Sequence, residues 1–89
     1  MAKYHFTMNV RRAMSYMRRN EVGEITYVGT RPKVTMKDGS RCAIEGVEYH
    51  PITDAEMIYV RVHGSLVPFI HLDEESQNKV AKDVLNTKF

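Results

Sequence analysis

The chain has 89 residues, of which 43% are hydrophobic and 27% are charged, and its formal net charge is +2. This length predicts one domain over residues 1–89, and the composition is that of a globular protein and not of a disordered tail. Its apolar runs fall far short of the roughly 20 residues that cross a bilayer, so we expect no membrane partner. A single cysteine, Cys42, and the absence of a secretory signal pattern predict a reducing, cytoplasmic location.

The first predicted element is a helix over residues 8–20. Val10, Ala13, Met14 and Met17 recur there at helical spacing and fall within about 100° of arc. Thr7 precedes them as a candidate N-cap. We therefore expect an amphipathic helix that packs this stripe against a core.

A period of two then predicts about five short antiparallel strands. Asp38-Gly39 predicts a type I′ hairpin turn between residues 33–37 and the next strand, residues 41–50. The hydrophobic phase of that strand slips at Gly46, which indicates a bulge or a sharp bend. After a loop at residues 50–56, Gly64-Ser65 predicts a second tight turn, and Pro68 marks the last strand as an edge.

Asp73 is the candidate N-cap of a C-terminal helix over residues 73–86, with an apolar stripe from Val80 to Leu85. The predicted fold class is α+β: an N-terminal helix, an antiparallel sheet of about five strands, and a C-terminal helix, with both helices on one sheet face. A strongly bent sheet that curls towards a small barrel is the alternative, because of the slip at Gly46.

Four arginines share one side of the first helix: Arg11, Arg12, Arg18 and Arg19 cover about a third of its circumference. Ser15 lies among them. Like charges three and four residues apart repel, so a helix built only for solubility would mix signs. Because guanidinium groups pair with phosphate in a bidentate manner, this arginine face indicates an anionic partner.

The charge is also divided along the chain. Residues 1–41 carry nine basic and three acidic side chains, whereas residues 42–89 carry four basic and eight acidic ones. We predict a small, non-enzymatic binding module that holds nucleic acid through the basic helix and the neighbouring hairpin. Tyr16 or Tyr27 would stack on a base. The predicted binding residues are Arg11, Arg12, Ser15, Tyr16, Arg18, Arg19, Lys33, Lys37 and Arg41.

Two other interpretations of the same charges stay open. In the first, the chain is a protein-binding regulator or inhibitor, of a cellular or a phage type. Its basic face would bind an acidic protein surface, or its oppositely charged halves would pair between copies in a homo-oligomer. Alternatively, the arginines are a solvated face that is paired within the molecule.

No catalytic, metal-binding or cofactor motif is present, so we predict no catalytic residue, no metal site and no cofactor. A small ribonuclease-like enzyme is the remaining alternative. In a meander of the last three strands, His50 and His71 would lie about 10 Å apart at one end of the sheet. Together with Tyr49 and Arg61 they are the residues on which such an activity would depend.

Overall fold

The computed structural model describes residues 6–51 and 56–89. In chain order its elements are helix α1 (Met8–Arg19), strands β1 (Glu24–Thr26), β2 (Lys33–Thr35), β3 (Arg41–Ala43), β4 (Gly46–His50), β5 (Met57–Val62) and β6 (Ser65–Pro68), a 3₁₀ turn (Phe69–His71) and helix α2 (Glu74–Leu85). The predicted α+β order of helix, antiparallel strands and helix is confirmed. Residues 52–55 of the predicted loop at 50–56 lie outside the described residues.

The strands form two antiparallel sheets, and not the single sheet that was predicted. Four strands lie in the order β1-β4-β5-β6, and β2 pairs with β3 as a separate hairpin. An isolated bridge between Met36 and Leu72 joins the end of this hairpin to the segment before α2. The edge position predicted for the strand that contains Pro68 is confirmed, since β6 pairs only with β5.

Both helices begin at the residues that the sequence indicates. The side chain of Thr7 accepts a hydrogen bond from the amide of Val10, and that of Asp73 accepts one from the amide of Ser76. The hydroxyl of Thr7 also lies 2.7 Å from Oδ1 of Asn78, so the first turn of α1 lies beside the first half of α2. Within the described residues, neither helix is long and apolar enough to cross a membrane.

One cluster of buried side chains joins the helices and the sheets. The predicted stripe of α1, from Val10 to Met17, is buried, as are Val80, Ala81 and Val84 of α2. Alternate residues of β4 and β5 supply the sheet's share of the cluster. The other side of this sheet, which we call its outer face, carries the remaining alternate residues, most of which are polar.

Both predicted hairpin turns are present, but the left-handed residues differ from those predicted. At the first, Gly39 is left-handed, with φ 93°, but Asp38 is not, and the amide of Met36 donates to the carbonyl of Ser40. Residues 37–39 therefore form a three-residue connection and not a type I′ turn. At the second, the left-handed pair is His63 and Gly64, one residue earlier than predicted.

Gly46 marks the point where the chain passes from one sheet to the other. The predicted single strand over residues 41–50 is wrong: it is divided into β3 and β4, which belong to different sheets. A Cβ at Gly46 would collide with the carbonyl oxygen of Ile25 and lie 2.5 Å from the guanidinium of Arg61. The glycine is thus required by the close approach of β1 and by the side chain that crosses above it.

Candidate anion-binding groove

The structure brings the whole arginine face together. All four arginines line one open groove of about 680 Å³ along the exposed face of α1. Three further side chains complete it: Met8, Ser15 and Leu85. The groove therefore combines a concentrated positive charge with apolar side chains, Met8 being 66% exposed.

The spacing of the arginines follows from the helix. Arg11 and Arg18 are seven residues apart, as are Arg12 and Arg19, which places each pair about 10 Å apart along the helix axis. Arg18 and Arg19 lie in the last turn, where the helix dipole favours cations. The first turn contains no acidic residue that would offset Arg11 and Arg12. The groove is thus positively charged along the length of α1.

Only one of these arginines is paired within the described part of the chain. Nη1 of Arg18 donates to a carboxylate oxygen of Glu56 at 3.0 Å, and its other terminal nitrogen lies 3.4 Å from the hydroxyl of Ser15. The ion pairs among the described residues include none with Arg11, Arg12 or Arg19. The alternative of an arginine face neutralised within the molecule therefore applies to Arg18 alone.

Both tyrosines considered for base stacking make contacts inside the molecule. The hydroxyl of Tyr16 donates to the carbonyl of Thr87 at 2.8 Å, and its ring centroid lies 5.2 Å from that of Phe89. Tyr27 packs against the core, and burial, with a smaller contribution from the charge of Asp83, raises its pKa to about 12. Stacking on a base by either ring stays a prediction, and it would have to accommodate these contacts.

The basic residues of the hairpin lie apart from the arginine groove. Lys33 and Arg41 line a second depression, beside Cys42, whose pKa is raised by burial. The hairpin contacts α2 through Lys79, whose ammonium donates to the carbonyl of Lys33. Lys37 lines a third depression, in the loop after β2.

Helix α2 separates these basic regions. Its residues Ser76 and Lys79 contact β2, whereas Asn78 and Leu85 face α1, and the two pairs lie on opposite flanks of the helix at 100° per residue. The hairpin and the arginine face therefore do not share one groove. Whether the hairpin residues bind a partner stays a prediction.

A polar cluster on the outer sheet face was missed by the sequence analysis. Arg61 of β5 donates to Glu24 of β1 at 2.9 Å, to Glu48 of β4 at 3.2 Å and to Thr26 at 3.0 Å. The strand register explains the cluster, because Glu24 is paired with Glu48 and Thr26 with Gly46, opposite Arg61. Hydrogen bonds from His50 and Arg61 lower the pKa of Glu48, the bond with His50 having the larger effect. The charge of Arg61 is therefore compensated by carboxylates of the same face.

The residues of the ribonuclease alternative are dispersed. His50 lies on the outer face, with Nε2 3.0 Å from Glu48 and its ring edge-on to Tyr59. Tyr49 points to the other side of the same strand and is buried. His71 lines the depression beside Lys37. Of the four residues proposed for that activity, only His50 and Arg61 share a face.

The described residues contain no group of three or more His, Cys, Asp or Glu side chains placed to hold a metal ion. Comparison of the chain with protein-family models, with curated proteins and with solved structures finds no match. The chemistry of the groove is therefore the basis on which a function can be argued.

Proposed function

We propose that the chain is a small binding module that holds nucleic acid in the arginine groove along the exposed face of α1. The observation that carries this proposal is the set of three exposed arginines, Arg11, Arg12 and Arg19, that line one groove without an ion-pair partner among the described residues. A phosphate backbone supplies repeated negative charges, and guanidinium groups pair with them bidentately. The hairpin cations lie outside this groove, and their binding of a partner stays a prediction, as does the cytoplasmic location.

Nucleic acid is favoured over a ribonuclease activity by the state of the arginines. Arg61, the arginine that the ribonuclease alternative requires, lies between two carboxylates, Glu24 and Glu48. Its charge is already balanced, so it has little attraction left for a phosphate. Three arginines of α1, Arg11, Arg12 and Arg19, have no ion-pair partner among the described residues.

An acidic protein surface is the second candidate partner. It is favoured by Met8 and Leu85, since an acidic peptide with an apolar side chain would cover both of these groove residues. A regulator or inhibitor of another protein would bind in this manner. Single-stranded nucleic acid makes less use of an exposed methionine.

The test is a titration of fluorescently labelled single-stranded and duplex RNA and DNA, followed by anisotropy at 50 mM salt. We expect the wild-type chain to bind and the Arg11→Ala, Arg12→Ala, Arg19→Ala triple variant to lose at least tenfold in affinity. The matched control is the triple variant Lys33→Ala, Lys37→Ala, Arg41→Ala, which removes the same charge from the hairpin and its loop. Equal losses in the two variants would mean that net charge, and not the groove, is responsible.

Absence of binding by the wild-type chain to all four nucleic acids would reject the nucleic-acid proposal. Binding of a synthetic acidic peptide with leucine side chains, lost in the α1 triple variant and retained in the hairpin variant, would then support the second candidate.

A further inference from the structure

Within the described part of the chain, Glu56 supplies the one carboxylate that forms an ion pair with an arginine of the groove. One of its oxygens, Oε2, accepts hydrogen bonds from two donors, Arg18 at 3.0 Å and the hydroxyl of Tyr49 at 2.6 Å. Arg18 lies at the end of the groove next to the C-terminus of α1. The carboxylate therefore occupies a position in which a ligand's anionic group would contact Arg18.

We propose that Glu56 is an internal competitor that covers Arg18 and is displaced when a long polyanion fills the groove. The inference rests on the proposed function in taking the groove as an anion-binding site. It adds that the site has two parts: Arg11, Arg12 and Arg19 accept an anion directly, whereas Arg18 accepts one only in exchange for Glu56.

The structure makes Glu56 both well placed and displaceable. Tyr49 is buried, with 3% of its surface exposed, so its hydroxyl is a fixed anchor. Burial, and to a lesser degree the neighbouring Glu56, raise the pKa of Tyr49, which keeps the phenol protonated as a donor. The side chains of Arg18 and Glu56 are 55% and 44% exposed, and exposed ion pairs are weak.

The magnitude of the competition follows from that exposure. Because an exposed ion pair is weak, removing the carboxylate of Glu56 should raise the affinity for a polyanion by at most about fivefold. This increase in affinity should be seen only for ligands that are long enough to contact Arg18. A dinucleoside monophosphate carries one phosphate, so it can be bound by the uncovered arginines alone and should be insensitive to Glu56.

The experiment uses heparin-agarose, a polyanion that does not depend on base recognition, and compares the salt concentration at which each variant elutes. Glu56→Gln removes the charge and keeps an oxygen that accepts from Tyr49. The matched control is Glu24→Gln. It removes the same charge and also breaks an ion pair with an arginine, but on the outer sheet face. A circular-dichroism melt of each variant establishes that it is folded.

Competition predicts a specific non-additivity with Arg18. Glu56→Gln should elute at higher salt than the wild type and than Glu24→Gln. Arg18→Ala should lower the elution salt little in the wild type and clearly more in the Glu56→Gln background, because only there is Arg18 uncovered. Tyr49→Phe, which removes the anchor, should shift elution in the same direction as Glu56→Gln.

Two results would overturn the inference. One is equal elution of Glu56→Gln and Glu24→Gln, including the case in which neither is retained. The other is an effect of Arg18→Ala that is the same in both backgrounds. The proposed function fails separately, if labelled nucleic acids do not bind or if the Arg11, Arg12, Arg19 triple variant binds them as the wild type does.

Discussion

The number of uncovered arginines in the groove fixes how steeply binding should depend on salt. Three of the four, Arg11, Arg12 and Arg19, have no ion-pair partner among the described residues, whereas Arg18 is covered by Glu56. A nucleic acid bound in the groove would therefore lose counterions from about three phosphates.

The expected slope follows directly. The logarithm of the binding constant falls with the logarithm of the salt concentration by about 0.7 per neutralised phosphate for a single strand and about 0.9 for a duplex, so three phosphates give about −2.1 and −2.7. Raising salt fourfold, from 50 to 200 mM, should then weaken single-strand binding about 20-fold and duplex binding about 40-fold. A strand that also displaces Glu56 from Arg18 would add a fourth contact, and the single-strand slope would then be about −2.8.

The assay is fluorescence anisotropy of labelled 12-mers at four salt concentrations between 50 and 200 mM. The Arg11→Ala, Arg12→Ala, Arg19→Ala variant should show a slope near zero, and the hairpin triple variant should keep most of the wild-type slope. A wild-type slope shallower than about −1 would refute the count of three contacts. A slope that the α1 triple variant leaves unchanged would refute their assignment to α1.

Two further predictions concern the fold. Gly46→Ala should cost about 1–3 kcal/mol of unfolding free energy, because its Cβ meets the carbonyl of Ile25, whereas a Cβ at Gly23 meets nothing within 4 Å. Thermal melts compare Gly46→Ala with the control Gly23→Ala, and equal melting temperatures of these two variants would contradict the collision. Tyr27, with its pKa at about 12, stays protonated in the folded chain after an unfolded tyrosine has ionised, so its contribution to stability is complete below about pH 10 and is lost as the pH rises towards 12. Absorbance at 295 nm should show this late ionisation in the wild type and not in Tyr27→Phe. Asp83→Asn should lower the pKa of Tyr27. If Tyr27→Phe leaves the titration curve unchanged, the late ionisation belongs to another tyrosine.

The helices could be predicted because their signals are local. Thr7 and Asp73 are caps that act on amides three residues ahead, and the buried stripes repeat within each helix. The strand boundaries depend on more distant partners. The slip at Gly46 was visible in the sequence, but the division into two sheets depends on β1 pairing with β4, across the intervening hairpin.

Each of the two hairpin turns differs from its prediction by one residue. Asp38-Gly39 suits a two-residue turn, but the amide of Met36 bonds to Ser40 and lengthens the connection by one residue. His63 takes a left-handed conformation, φ 50°, that is uncommon for a residue with a side chain. The pairing of Val62 with Ser65 requires it, and no local signal at His63 indicates this.

The arginine face could be predicted from helix geometry alone, but its state of neutralisation could not. Arg18 and Glu56 are 38 residues apart, and Arg61 meets Glu24 across 37. Each of these ion pairs is created by the tertiary fold. The division of charge between the two halves of the sequence therefore says little about which cations remain unpaired.

The fold distributes its carboxylates unevenly over its two surfaces, and this asymmetry is the physical basis of the proposal. On the outer sheet face the register sets two carboxylates, Glu24 and Glu48, against one arginine, Arg61. On the exposed face of α1 there are four arginines, and among the described residues only one of them, Arg18, has a carboxylate partner, Glu56. Like charges at this spacing repel, so the cluster on α1 is unfavourable for the isolated molecule and is relieved by an anion from outside. A partner that brings several negative charges in a row relieves it most, and among biological polymers the phosphate backbone does so at every residue.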